Sequence, residues 1–430
     1  MAYNYEYPYV DPNRYNSDWL LNYVKQFEGL PEKVDELIKS LGTGIVQLSN
    51  FVLPETYGAI GNGIVDDTIA IAAAIKTGKP VLFWQSYAVT SITAGNDSYF
   101  APGGKIVSNG IVALKNIYAP KMKIFEGTGK FTITNSVCHV AWYGADKSGS
   151  QGSTDSIMNA LNSGSSIVEL EAGTYLANLT IPNYVELRGQ GIGNTKIFPE
   201  TNNPIITTGD RYNILRDMTL QNNKYTDWPF VIGINVAKRL DRSVFENVRC
   251  ENVARGLYSN ASMIWNEFNN CMFFGCLFYG IYISTTEAVN NNTFYNCEIA
   301  TCTYSGIYID SSTLSFDNAF IACNVENTNI DFAGRPAHTE VDSTYFNTRV
   351  TFSECYFENL NGSSCFRNFN LLRLVNCFIG VIAKPVLRIS GTPKQTLLQA
   401  CDGYNITGTL YATDSQKNAT LVNCVDIPTE

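Results

Sequence analysis

From about residue 214 to residue 430 one spacing of apolar positions recurs: an apolar residue, two spacers, usually a cysteine, then a second apolar residue two positions on. The copies are Phe268–Cys271–Phe273, Phe294–Cys297–Ile299, Phe320–Cys323–Val325, Phe352–Cys355–Phe357, Leu374–Cys377–Ile379, Leu398–Cys401 and Leu421–Cys424, with Phe245–Val248 opening the series. Successive cysteines stand 26, 26, 32, 22, 24 and 23 residues apart. A period of about 20–30 residues predicts a solenoid, because each repeat buries its apolar edge only by stacking on its neighbours. Short apolar alternations such as Gly306-Ile307-Tyr308-Ile309-Asp310, punctuated by Gly and Asn, read as strand and turn. The predicted fold is therefore mainly β, a right-handed parallel β-helix with about three short strands per coil. Asn247, Asn270, Asn296, Asn376 and Asn423 precede the cysteine position and predict a ladder of stacked amides, interrupted at Ala322, Glu354 and Ala400.

The first part of the chain has a different pattern. Residues 1–15 are polar and aromatic and read as an extended arm. Leu20, Tyr23, Phe27, Leu30, Val34, Leu37 and Leu41 then alternate spacings of three and four, a heptad seam that predicts a short α-helical, coiled-coil segment broken near Pro31. The seam suits either an intermolecular bundle or a helix packed on its own domain. Three regions follow: an attachment arm and heptad helix over residues 1–48, a small β-rich domain over 49–140, and the long β-helix over 141–430.

Charge and cysteine content narrow the function. The net charge of −9 and a pI near 5.0 disfavour nucleic acid, whose binders carry basic patches. No run of 18 apolar residues predicts a membrane span, and the first residues have neither the basic flank nor the apolar core of a signal peptide. The chain has 12 cysteines but only His139 and His338, and most cysteines occupy one column of the repeat. They are predicted to be reduced, buried thiols rather than zinc ligands or disulfides, consistent with assembly in a reducing cytosol. No cofactor or metal signature is present; Gly189, Gly191 and Gly193 read as coil turns, not a nucleotide loop.

Tyr57-Gly58-Ala59, Gly61-Asn62-Gly63 and Asp66-Asp67-Thr68, followed by an alanine-rich stretch, resemble the entry motif of the pectate-lyase superfamily of β-helix proteins. Asp66 or Asp67 is the expected N-cap of the helix that follows. The motif recurs as Trp142-Tyr143-Gly144-Ala145-Asp146 and Thr154-Asp155-Ser156, with Glu171-Ala172-Gly173-Thr174-Tyr175 beyond it. Together with the aromatic arm and heptads, this arrangement resembles bacteriophage tailspikes, tail fibres and pre-neck appendages; Asn13-Arg14-Tyr15 through Trp19-Leu20-Leu21 resembles their virion-attaching start. The resemblance implies a homotrimer made in the host cytoplasm and fixed to other tail, neck or portal proteins of the virion through residues 1–48. It also implies engagement of a host cell-surface glycan. Members of that superfamily include glycoside hydrolases, polysaccharide lyases and silent binders, so fold alone leaves the chemistry open.

Register places candidate chemistry. The cysteine and the residue two later point inward; those one and three later point outward. Glu326 and Glu358 thus fall on adjacent coils facing solvent, about 5 Å apart by strand spacing, the separation of a retaining glycosidase pair. Their mutual repulsion would raise one pKa, as an acid catalyst needs. The long interval between these coils predicts an extruded loop bringing Asp331, Glu340 and Asp342, with Arg335 and His338, near the pair. Tyr258, Tyr282 and Tyr308 form a second outward column, with Asp310 beside it and Phe366 extending it. They read as a glycan platform or as the trimer seam. Trp228 and Trp265 are weaker stacking candidates. The competing readings are an adhesin for a bacterial surface polysaccharide or teichoic-acid-like polymer, a depolymerase, and a cellular carbohydrate-active enzyme.

Overall fold

The computed structural model describes residues 51–311, 315–326, 348–358, 360, 366–367, 371–382, 386–388, 395–411 and 419–428. The arm, the heptad seam and residues 331–342, including Asp331, Arg335, His338, Glu340 and Asp342, lie outside the described residues. The described residues divide into two compact units, one ending at Pro120 and including Gly127–Gly129, the other comprising Lys121–Glu126 and the chain from Lys130 onward.

Both units open with the same local series. In the first, a 3-10 turn Pro54–Tyr57 ends at Gly58, whose φ of 92° only glycine adopts freely. Strand Asn62–Asp66 and helix α1, Thr68–Lys76, follow. In the second, Val140–Tyr143 ends at Gly144 with φ 81°, then come Ser148–Gly152 and helix α2, Thr154–Leu161. Asn62 Oδ1 accepts the amides of Ile64 and Val65, both at 3.0 Å, and Asp146 Oδ2 does the same for Ser150 and Gln151 at 2.9 and 2.8 Å. The helix starts differ from the expected cap. Asp67 occupies the N-cap position of α1, but its carboxylate turns back to the amides of Ile60 and Gly61 at 2.7 and 3.1 Å. Asp66 instead accepts the Thr68 amide at 2.9 Å. In α2 the Thr154 amide is held by Glu200, 46 residues away, which ties the helix to the solenoid.

The second unit is a parallel β-helix. Phe245 is in register with Phe268, Phe268 with Phe294, Phe294 with Phe320 and Phe320 with Phe352, and Leu374, Leu398 and Leu421 continue the column. The rings stack 4.5–4.9 Å apart down the axis, which is the strand spacing itself. Alternate residues make the pattern: Phe268, Cys271 and Phe273 are buried, whereas Met272 and Phe274 reach the outer face.

Between each phenylalanine and its cysteine the chain turns a corner in the left-handed region. Asn247, Asn270, Asn296, Ala322, Glu354, Asn376, Ala400 and Asn423 all have φ between 51 and 57°. Asparagine tolerates this conformation better than other residues with a side chain, which accounts for its frequency before cysteine. Of the expected amide ladder at this corner, the described residues show Asn247 donating to Asp217 at 2.9 Å and Asn296 to Asn270 at 2.7 Å.

The cysteines contribute a hydrogen bond as well as small size. Each thiol donates to the carbonyl of the apolar residue one coil earlier: Cys271 to Phe245 at 3.4 Å, Cys297 to Phe268 at 3.2 Å, Cys323 to Phe294 at 3.3 Å and Cys355 to Phe320 at 3.3 Å. Cys377, Cys401 and Cys424 repeat the contact. Alanine or valine would fill the space without the donor. The thiols are free. Hydrogen bonding to the thiol of the previous coil, with burial adding to it, pushes Cys323, Cys355 and Cys377 up to about 12, so they stay protonated and unreactive.

The continuous amide ladder lies inside the coil, at positions the sequence reading did not single out. Asn266, Asn292 and Asn318 are fully or almost fully buried. Asn266 Nδ2 donates to Asn292 Oδ1, and Asn292 Nδ2 to Asn318 Oδ1, both at 2.8 Å. Each oxygen also accepts the backbone amide of the asparagine before it, at 3.2 Å, and each Nδ2 also donates to a main-chain carbonyl of an earlier coil. Ser243 and Asn213 extend the column through the Asn213 amide donating to Ser243 Oγ at 3.0 Å and the Ser243 amide to Asn266 Oδ1 at 3.0 Å.

On the outer face of the first coils a charge ladder runs along the axis. Glu169 lies 3.2 Å from His139 Nδ1 and 2.6 Å from Arg188 Nη2, Arg216 lies 3.6 Å from Glu186, and Arg216 also contacts Glu246. The hydrogen bond from His139, then its charge and that of Arg188, outweigh partial burial and lower Glu169 to about 2 from an ordinary 4.5.

Two outcomes follow from these ladders. Asn292→Ala leaves several buried polar groups unpaired and is expected to cost about 3 kcal/mol, read as a lower urea midpoint against a surface control such as Asn159→Ala. Glu169 has a depressed folded pKa, so its contribution is complete above about pH 4.5 and disappears as pH falls through about 2. Glu169→Gln should therefore unfold more easily than the native chain at pH 7, with the gap closing by about pH 2 in acid denaturation followed by circular dichroism.

Candidate functional site

The strand following each corner presents two outward columns. One carries Met272, Glu298, Asn324, Tyr356, Phe378 and Asp402 in successive register. The other carries Phe274, Ala300, Glu326, Glu358, Gly380 and Tyr404. Glu326 and Glu358 are direct register partners on adjacent strands, so their Cα atoms lie about 4.8 Å apart. Both are half-buried. Each takes one local hydrogen bond: Asn324 Nδ2 donates to Glu326 Oε1 at 2.7 Å, and the Tyr356 hydroxyl to Glu358 Oε2 at 2.7 Å. That bond, with the negative charges of Glu358 and Glu326 beside it, pushes the Tyr356 phenol up to about 12. Aromatic rings continue the face. Tyr356 stacks on Phe378 at 5.0 Å, and Phe378 lies 6.3 Å from Tyr404, which is exposed. The register thus joins carboxylates, a phenol, an amide and aromatic surface on one side of consecutive coils.

The next strand of the earlier coils carries the tyrosine column. Tyr258, Tyr282 and Tyr308 are register partners, half-exposed beside the buried Leu257, Ile281 and Ile307. Their rings stack on one another at 5.7 and 4.7 Å with interplanar angles of 14 and 8°. This geometry differs from a platform. Rings stacked along the axis cover each other's faces, so the column offers solvent a row of edges and hydroxyls. It suits hydrogen bonding along a chain of hydroxylated units more than face-on stacking of sugars. A second stack, Phe230–Phe278–Tyr304 at 6.0 and 5.2 Å, lies next to it, with Phe230 65% exposed and Tyr304 52% exposed. Tyr279 touches the rings of Tyr282, Tyr304 and Tyr308 and joins the two stacks. The cation of Arg255 lies over Tyr258, Tyr282 and Phe278.

Other expected members fall elsewhere. Phe366 does not extend the column: it is 1% exposed and packs edge-on against Phe352 and Phe357 in the core, because its strand turns that position inward. Asp310 lies two residues beyond Tyr308, in register with Ser284; its side chain is outside the described ones. Neither tryptophan is in the core. Trp265 is 49% exposed beneath Arg242, and Trp228 is half-buried beneath Lys224. The Phe230–Phe278–Tyr304 stack and Arg255 were missed in the sequence. They occupy turns and a strand start whose spacing varies from coil to coil, so no fixed period marks them.

The coupling of Tyr356 to Glu358 can be checked directly. Glu358→Gln removes the accepting carboxylate, and the Tyr356 pKa should fall from about 12 toward its ordinary 10 in an NMR titration with ring-labelled tyrosine. An unchanged value would mean that the carboxylate does not hold the phenol.

No protein-family model and no curated protein matches the chain. Solved structures do. The chain is similar to ORF18 of Geobacillus virus E2, at 15% identity and TM-score 0.39, over 94% of this chain and 64% of that one. It is similar to the tailspike gp49 of Acinetobacter baumannii bacteriophage Fri1, a capsular polysaccharide depolymerase, at 13% identity and TM-score 0.49, over 70% of this chain and 64% of that one. The A-module of the Azotobacter vinelandii mannuronan C-5 epimerase AlgE4 matches at 14% identity and TM-score 0.41, over 67% of this chain and 96% of that module. The chain therefore spans less than two-thirds of the length of either viral protein.

Proposed function

We propose that this chain is a structural protein of a phage virion, a tailspike or appendage, that binds a bacterial surface polysaccharide or teichoic-acid-like polymer during host adsorption. The observation that carries this reading is the outer face of the solenoid, where phenols, carboxylates and an amide repeat at the coil spacing along a rigid scaffold. A polymer lying along the axis meets a phenol at three successive coils of the tyrosine column and a carboxylate at two successive coils of the Glu326–Glu358 column. Many weak contacts then add without the entropic cost of ordering loops. The chain works as a homotrimer held to the particle by residues 1–48, whose heptad pattern is suited to bundling.

The in-register pair favours a second reading, a polysaccharide depolymerase on the same face. Glu326 and Glu358 stand in register on adjacent strands with backbones about 4.8 Å apart, so their carboxylates can reach the separation that a retaining glycoside hydrolase uses. Glu326 would protonate the leaving oxygen. Glu358, accepting the Tyr356 hydroxyl, would attack the sugar carbon and form a glycosyl-enzyme, which water then releases. Asp331, Glu340 and Asp342 would be the weaker acid candidates for either a hydrolase or a lyase, and Arg335 would be a substrate-binding group.

Size-exclusion chromatography of host surface polymer, after incubation with the native chain and with a Glu326→Gln/Glu358→Gln double variant, separates the readings. Binding predicts co-elution of unshortened polymer with the native chain, weakened but still without shortening in the double variant. Shortening by the native chain alone would assign depolymerisation to the pair, and shortening by both would place an active site elsewhere. No co-elution and no shortening would overturn the proposal. Light scattering of the full chain should give the mass of three copies; a monomer would sink the spike reading.

A further inference from the structure

We infer that Arg255 is an anion-recognition group of this face, placed to take a carboxylate or a phosphodiester of the bound polymer. The inference rests on the polymer-binding reading above and narrows it to an acidic polymer. Arg255 begins the strand that carries Tyr258, and its guanidinium carbon lies 5.0 Å from the Tyr258 ring centre, 5.1 Å from Tyr282 and 6.0 Å from Phe278. Rings of the two neighbouring aromatic stacks thus surround it.

Such contacts engage the guanidinium's charge without consuming its N–H donors. Among the described residues Arg255 has no carboxylate partner, and its Nε is buried without a hydrogen bond. Several other described arginines are paired, though Arg211 and Arg373, like Arg255, show no ion pair among the described residues. Arg188, Arg216, Arg239, Arg242 and Arg249 each lie within 4 Å of an Asp or Glu oxygen. Glu251, the acid nearest in sequence, is engaged by Arg249 at 3.1 Å. Glu326 stands three coils beyond Glu251 in the register of the preceding strand, a rise of about 14 Å along the axis.

A half-buried guanidinium held rigidly by aromatic rings, with edge donors unmatched, fits a planar or tetrahedral oxyanion that accepts two N–H bonds. The adjacent row of Tyr258, Tyr282 and Tyr308 hydroxyls would meet the polymer's own hydroxyls. In a chain of net charge −9, such a group supplies local attraction for an anion that the overall field opposes.

The test immobilises three probes, polygalacturonate for the carboxylate, poly(glycerol phosphate) for the phosphodiester and dextran as a neutral chain. It measures retention of the full-length native protein, Arg255→Gln and Arg255→Lys, with thermal melts to confirm that each variant folds. The expected result is salt-sensitive retention on one acidic polymer and weak retention on dextran. Arg255→Gln should weaken that binding about tenfold or more, and Arg255→Lys should restore only part of it because it lacks the planar fork. Equal retention on dextran, or no change in Arg255→Gln, would overturn the anion site while leaving polymer binding intact. Absence of retention on all three, with host polymer still bound, would also overturn it. Failure to bind any of these, host polymer included, would overturn the polymer-binding reading itself. Should Arg255→Gln melt early, Arg255→Lys and the salt dependence of the native chain decide the matter.

Discussion

The left-handed corner between each inward phenylalanine and its cysteine is the constraint on which the solenoid depends. It turns the backbone from one strand to the next in a single residue, at a conformational cost that falls on asparagine least and on Ala322, Glu354 and Ala400 more. The turn is tolerable because coils above and below impose it together. The ring of one coil lies flat on the ring of the next, the thiol reaches back to the previous carbonyl, and the inner asparagines link amides through three coils. Remove one coil and its neighbours lose ring, thiol and amide partners at once. Stability here belongs to the stack and not to any single strand.

Much of this architecture was legible from spacing. Phe268, Cys271 and Phe273 recur with a period that gives both the fold and the inward set, and counting outward from the cysteine places Glu326 opposite Glu358. The inner ladder of Asn266, Asn292 and Asn318 has a regular spacing too, yet a polar residue at a core position reads as a turn until its partners are known. Phe366 lies inward in the structure, on a strand whose register partner is Leu387 and not a member of the tyrosine column, a pairing that spacing alone does not give. The tyrosine column was found, but its meaning depended on ring orientation, which a sequence does not carry. Arg255 was invisible for a similar reason: an unmatched charge is recognised only when the positions of all possible partners are known.

The repeated entry motif shows one backbone solution serving two surfaces. Asn62 and Asp146 perform the same amide-holding task within their own units, and Gly58 and Gly144 end the same turn. The residues facing water diverge. Ile64 and Ile69 are exposed in the first copy, where the corresponding positions of the second are Ser150 and Asp155. The backbone requirements fix a few residues of the motif, and the remainder are free to answer to other demands.

Because every outward column advances by one side chain per coil, the outer face is graduated like a ruler. Gain or loss of a whole coil would lengthen or shorten all columns together while leaving each corner, thiol bond and ring contact intact. A change of one or two residues within a coil would instead rotate a column out of line. Such a surface can vary in reach only by discrete steps of about 4.8 Å, so it would change either by exchanging side chains at existing marks or by adding a mark at the end of the scale.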